Sequence, residues 1–224
     1  TYAVTESASN QDLARFVPAE VASLIKTSID GVQVGSGEPR EATVLFLDLE
    51  GFTSLSERLT PQDLVRTLNA FYAAAAEPIS RHDGVITQFQ GDAILATFNA
   101  PRLNPDHAAN AILAALAIQA LLKVQTFGDG LALRARIGIN TGVVIHGLIG
   151  TPDRLGYTVI GDEVNIAARL EALNKTYGTS IIVSEPTRDR AGPQRFAFEL
   201  LDEALVRGRT MPTRIYKVAG AVVP

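Results

Sequence analysis

Apolar and polar positions change period several times along this chain of 224 residues, and each change marks an element. From Thr43 to Leu47 every residue is apolar or β-branched, which predicts a buried strand, and the run ends on Asp48, Glu50 and Gly51. Residues 60–84 predict a helix: Thr60 can cap it, Pro61 takes the first helical position, and Leu64, Leu68, Phe71 and Ala75 share one face. After a turn at Asp83-Gly84, VITQFQ and AILATF are separated only by Gly91-Asp92, a hairpin with an acid at its tip. DHAANAILAALAIQALLKV predicts a second long helix. LRARIGIN and GVVIHGLIG predict a further strand pair turned at Thr141-Gly142, and GDEVNIAARLEALNKTYG a third helix closed by Gly178. SIIVS, an edge segment near 195–206, and RIYKV supply the last strands.

That order predicts an α+β fold, a mainly antiparallel sheet with helices packed on one face, whose first four elements resemble the start of a ferredoxin-like unit. Ahead of it, residues 11–29 have helical spacing interrupted at Pro18 and give way to GVQVGSGEPR, so residues 1–39 read as a short helix and linker.

Composition adds limits. With 46% hydrophobic and 20% charged residues the chain is of the ordinary globular class. The lack of cysteine excludes disulfides and thiolate metal sites and is compatible with a cytoplasmic location, which is the expectation. A net charge of −4 gives no electrostatic reason to expect nucleic acid as a partner. No run approaches the ~18 consecutive apolar residues of a spanning helix, and the N-terminus lacks the order of a signal peptide. No membrane segment is expected in this piece, although the full-length protein could be anchored. Because the chain begins at Thr1 and its one methionine is Met211, it reads as a fragment with an upstream regulatory domain.

A carboxylate at the end of a buried strand needs a partner. A β-α-β-β order can bring Asp48 to face Asp92 at the hairpin tip, where two carboxylates repel unless one is protonated or a cation lies between them. Oxygen ligands select hard ions such as Mg²⁺ or Mn²⁺. The alternative is a solvated turn aspartate beside a helix-capping one. Glu50-Gly51-Phe52-Thr53 stands where strand becomes helix, so backbone N–H groups there are free to meet an anion. Asn165 and Arg169 are four residues apart and share a helical face. Arg136 interrupts an apolar strand, and Arg207 and Arg209 flank Gly208. Taken singly, the Asn/Arg pair reads as a surface hydrogen bond and each of these arginines as a surface charge.

The strings FLDLEGFTSLSE, GDAILATF, RIGINTG, YTVIGDEVNIAARLE and VRGR before RIYKV occur in an order that resembles the catalytic domain of class III nucleotidyl cyclases over about residues 40–219, leaving 220–224 as a tail. The resemblance implies two divalent ions per site, Mg²⁺ or Mn²⁺, on Asp48, Asp92 and the carbonyl of Leu49. It implies phosphate binding by the turn Glu50, Gly51, Phe52 and Thr53 and by Arg136 and Arg207, the last standing where the family often has lysine. Arg169 would stabilise the transition state and Asn165 orient the ribose. A head-to-tail homodimer would form two composite sites, the aspartates of one subunit facing the Asn/Arg helix of the other. Gln88 and Thr158 occupy the base-specifying positions. Adenylyl cyclases of the family generally have lysine where Gln88 stands, and guanylyl cyclases glutamate. The expectation is an adenylyl cyclase acting on ATP in signal transduction, with GTP as a side substrate. The alternatives are a guanylyl or dual-specificity cyclase and a catalytically silent nucleotide-binding regulatory domain.

Overall fold

The sheet grows outward from its first strand. In the computed structural model, which describes Val21 and residues 37–151, 154–204 and 213–222, β1 (Gly37–Leu49) lies between β3 (Ala93–Phe98) and β6 (Ala135–Thr151), antiparallel to both. β2 (Val85–Gln90) pairs outside β3; β8 (Ile181–Ser184) runs parallel to β6; β10 (Thr213–Ala221) and β9 (Phe196–Ala204) complete the order β2-β3-β1-β6-β8-β10-β9. β7 (Arg154–Ile160) returns along the far half of β6, and β4 (Thr126–Phe127) and β5 (Leu131–Ala132) make a separate ribbon. The segment 11–29, read as a helix from its spacing, lies outside the described residues except for Val21.

Helix α1 (Phe52–Arg58) follows β1 directly, and α2 (Pro61–Arg81) begins as its sequence predicts, with the Thr60 hydroxyl accepting from the Asp63 amide at 3.2 Å. α3 (His107–Val124), α4 (Asp162–Tyr177) and α5 (Glu185–Ala191) follow. α3 is long and apolar enough to cross a membrane by composition, with a mean hydropathy of 1.5, and half of it is buried against the other elements, which accounts for its lack of a polar face.

Alternation divides the strand residues between two cores. Leu45, Leu47 and Leu49 of β1 join Ile94, Ala96 and Phe98 of β3 beneath Phe71 and Ala75 of α2 and Ile112 and Ile118 of α3, while Ala191 of α5 joins them. Ala42 and Val44 point the other way, to Val144, Val159 and Ala167 of α4. The α+β class and the mainly antiparallel sheet are therefore as expected, and the one-sided helix layer holds for α2, α3 and α5. α4 departs from it and covers the opposite face. Periodicity identifies a helix's apolar stripe and carries no information on which sheet face receives it.

The expected hairpin at Thr141-Gly142 is also corrected. β6 runs unbroken through both residues, which pair with Thr43 and Ala42 of β1. Glycine is there for space: a methyl group at Gly142 would stand 2.5–2.7 Å from the Glu163 side chain. Gly138 is tighter still, since a methyl there would overlap the Ala167 carbonyl and the Glu171 amide of α4.

Gly138→Ala tests this seat. Overpacking typically costs ~1–3 kcal/mol where side chains can yield, and backbone yields less, so a loss near about 3 kcal/mol is expected. For a domain of this size that is a fall of roughly 6–12 °C in Tm, measurable by calorimetry. An unchanged Tm would remove Gly138 as the fixed point of α4.

Candidate active site

The carboxylates meet where the sequence places them. Leu47 pairs with Ile94, so Asp48 at the end of β1 stands level with the start of β3, beside Asp92 at the hairpin tip. Burial, and then the neighbouring Asp48 carboxylate, push the Asp92 carboxyl up to about 6. No third acidic or imidazole side chain joins them as a metal cluster among the described residues. Gly91 takes the left-handed conformation (φ 62°) that closes the tip, and its carbonyl accepts from the Tyr72 hydroxyl.

The turn after β1 leaves the start of α1 without a side-chain cap. Gly51, at φ 72°, is the N-cap of α1 and supplies no side-chain acceptor, so the N–H groups of the first turn, Phe52 and Thr53 included, have no side-chain cap. The Glu50 amide donates to the Arg134 carbonyl at 2.8 Å, and the Glu50 carboxylate lies 3.4 Å from the Arg134 guanidinium.

Arg136, one of the arginines that reads singly as a surface charge, is largely covered, with 18% of its side chain exposed. It pairs across the strands with Asp48: Nη2 donates to Asp48 Oδ2 at 3.1 Å, and Nε to Glu171 Oε1 at 2.7 Å. Burial raises the Glu171 carboxyl, and the hydrogen bond from Arg136 only partly offsets this. Two of five guanidinium N–H donors are so engaged, and three remain. A cavity of about 620 Å³ opens beside this pair, with Glu50, Arg134, Arg136 and Lys175 in its wall.

Glu171 also fixes the orientation of Asn165 and Arg169. At 3.6 residues per turn, Arg169 and Glu171 lie about 200° apart on α4. Glu171 is the one that reaches toward Asp48. The buried face of α4 consists of Ile166, Ala167, Leu170, Glu171 and Asn174. Asn165 is exposed and Arg169 half-buried, and neither has a polar partner among the described residues. Both therefore face away from the aspartates of their own chain. α4 has no side-chain cap at its N-terminus; instead Asn140 Nδ2 donates to the carbonyl of Glu163 at 3.0 Å and to its Oε2 at 2.6 Å, while Ser184 Oγ donates to Asn140 Oδ1 at 2.7 Å.

Gln88 and Thr158 are brought together: Gln88 Nε2 donates to Thr158 Oγ1 at 2.7 Å. Gln90 in turn donates to Gln88 Oε1. Arg207 and Arg209 lie outside the described residues. Sequence reasoning missed Glu171, Asn140, Glu163 and Gln90. The one available signal was the charge of Arg136 inside an apolar strand, which called for an acid opposite.

The sequence model for the adenylate and guanylate cyclase catalytic domain matches residues 34–220. Adenylate cyclase 1 of Rhizobium meliloti is 36% identical over 215 residues, which is 93% of this chain and 32% of that protein. Adenylate cyclase of Anabaena cylindrica is 38% identical over 91% of this chain and 42% of its own length, so the chain spans a third to two-fifths of these relatives. Among solved structures, a bacterial light-regulated adenylyl cyclase has a TM-score of 0.85 at 27% identity, covering 97% of this chain and 63% of that one. The guanylate cyclase domain of RhGC from Catenaria anguillulae, in complex with GTP, has a TM-score of 0.75 at 30% identity, covering 83% of this chain and all of that one. The paired aspartates, the turn beyond them and the outward Asn/Arg face of α4 thus stand in a chain that belongs to the adenylate and guanylate cyclase catalytic domain family.

Proposed function

We propose that the chain is an adenylyl cyclase that converts ATP to 3′,5′-cyclic AMP and pyrophosphate in signal transduction, at two composite sites of a head-to-tail homodimer. The observation that carries the reading is the opposed aim of the two half-sites: Asp48 and Asp92 at one place, Asn165 and Arg169 turned away from it by the Glu171 contact. One chain alone cannot apply both to one nucleotide. A second copy can, and the exposed apolar residues Val143, Ile145 and Ile160 on the β6–β7 arm offer it a surface.

In the reaction the ribose 3′-oxygen bonds to the α-phosphorus as its proton leaves, and the bond to the β-phosphate oxygen breaks with release of pyrophosphate. Asn165 would orient the ribose and Arg169 stabilise charge on the α-phosphoryl oxygens. The turn Glu50–Thr53, the remaining donors of Arg136, and Arg207 would hold the β- and γ-phosphates. The donor set suits hard divalent cations, since burial and the neighbouring Asp48 make the ionised Asp92 carboxylate costly when no positive charge sits beside it. Asp48, Asp92 and the Leu49 carbonyl would hold two such ions, Mg²⁺ or Mn²⁺, which when bound acidify the attacking hydroxyl and neutralise phosphate charge. In the longer protein an upstream regulatory domain would act on this unit.

A guanylyl or dual-specificity reading draws on one observation: the contacting pair Gln88 and Thr158 can each donate or accept. Product analysis with ATP and with GTP, under Mg²⁺ and under Mn²⁺, separates the readings. Cyclic AMP as the main product, with specific activity rising with protein concentration, is expected. Dominant cyclic GMP would favour the second reading, and nucleotide binding without any product would favour a silent regulatory domain.

Asp92→Ala and Arg169→Ala should each be inactive alone and recover activity when mixed, because one of the two sites in a mixed dimer keeps every residue. A statistical mixture restores about a quarter of wild-type turnover at most, since roughly half the dimers are mixed and each has one good site. No recovery from folded, exchanging proteins would sink the composite site.

Asp92 also makes stability depend on pH. Its folded value of about 6 exceeds the ordinary 3.8, so between these the folded chain binds more protons than the unfolded one, and chelated protein gains stability as pH falls through that window. Asp92→Asn should therefore melt above wild type at about pH 7.5 in EDTA, the gap closing toward about pH 4. Parallel pH–Tm curves for the two proteins would contradict the assigned shift.

A further inference from the structure

The Gln88 amide is held at both ends. Its nitrogen donates to Thr158, and its oxygen accepts from the amide of Gln90, two positions on along β2. A bulge makes this possible. Ile86 pairs with Ala96 and Gln88 with the very next residue back, Leu95, so Thr87 is the extra residue; its hydroxyl donates to the Leu95 carbonyl at 3.2 Å. Ile86 packs into the core under α2 and α3, whereas Leu95 belongs to the core under α4. The bulge thus shifts β2 by one phase and delivers Gln88, with Gln90 behind it, to the face where Thr158 of β7 lies.

We propose that Gln90 is a specificity-determining residue: by fixing which end of the Gln88 amide points at Thr158, it makes this pair a reader of adenine. The inference rests on the cyclase reading and deepens it. With its oxygen turned to Gln90 and one N–H given to Thr158, Gln88 has a second N–H for the base. Thr158, having accepted, keeps a lone pair. The pairing edge of adenine offers a ring-nitrogen acceptor and an amino donor, which match the Gln88 N–H and the Thr158 oxygen. Guanine presents a ring N–H donor where adenine has its acceptor, so donor meets donor unless the Gln88 amide turns over. Turning it sets the Gln88 nitrogen against the Gln90 nitrogen and breaks that bond, unless Gln90 turns as well. Where adenylyl cyclases generally have lysine, this chain has an amide that the Gln90 contact biases toward its donating orientation. An ordinary surface role for Gln90, which is exposed, is the competing account.

A carboxylate at position 90 only accepts, so Gln90→Glu draws the Gln88 nitrogen to itself and turns the Gln88 oxygen toward Thr158 and the base, the orientation that suits guanine. Gln90→Leu leaves the amide unguided. Calorimetric binding of 3′-deoxy-ATP and 3′-deoxy-GTP with Mg²⁺ reads the preference without turnover, because both lack the attacking hydroxyl. The expected result is an adenine preference in the wild-type chain, reduced by about fivefold or more in Gln90→Glu and by less in Gln90→Leu, the range that one hydrogen bond carries. Equal binding of the two nucleotides by wild type, or ratios in both variants within about twofold of wild type, would overturn the proposal. Cyclic product from ATP, measured alongside, tests the cyclase reading separately: its absence with the binding ratios shifted as expected would remove that reading alone.

Discussion

The approach of α4 to β6 at Gly138 is the constraint on which the site depends. Helix backbone meets strand backbone there, with no side chain between, so α4 can neither rotate nor slide without a clash. Three polar contacts then occur in register along the same strand. Glu171 reaches Arg136, Asn174 Nδ2 donates to the Ile137 carbonyl at 3.0 Å, and Asn140 grips Glu163. A helix with no side-chain cap at its N-terminus is thereby fixed at its first turn, its middle and its last turn, and the outward direction of Asn165 and Arg169 follows from the rotation so imposed.

The same strand organises charge. Arg136 pairs with Asp48 and Glu171 while Asp92 lies nearby, and burial first, then the neighbouring carboxylate charge, pushes Asp92 and Glu171 upward. Removing Arg136 would leave Asp48 and Glu171 facing each other, partly buried and unpaired, which costs far more than a surface ion pair is worth. Arg136 is therefore structural and electrostatic first. Its spare donors leave it free to take the proposed phosphate contact without surrendering either acid.

How much of this was legible depended on range. The Thr60 cap, the Gly91-Asp92 tip and the meeting of Asp48 with Asp92 follow from local turn chemistry and from a topology with few alternatives. Thr141-Gly142 misled because a glycine after a polar residue signals a turn, while this glycine makes room for a side chain more than twenty positions away. The placement of α4 on the opposite face was not written in its amphipathic pattern, nor was the Thr87 bulge in the alternation of β2, which must break phase for Gln88 and Thr158 to meet. Such features are settled by packing between distant segments, and residue type alone does not encode them.

Two helix layers on one sheet also account for the division of the site. α2 and α3 cover one face and hold the β1–β3 end that carries the aspartates, whereas α4 covers the other and must bury Leu170 and Glu171 to stay there. Arg169, about 200° around the helix from Glu171, is then directed away from Asp48. For Arg169 to serve its own Asp48, α4 would have to turn by about half a revolution, exposing Ala167 and Leu170 and driving side chains into Gly138. The packing that secures the helix forbids the one movement that would bring Arg169 to the aspartates of its own chain, and the proposed sharing of each site with a second copy takes its geometry from that constraint.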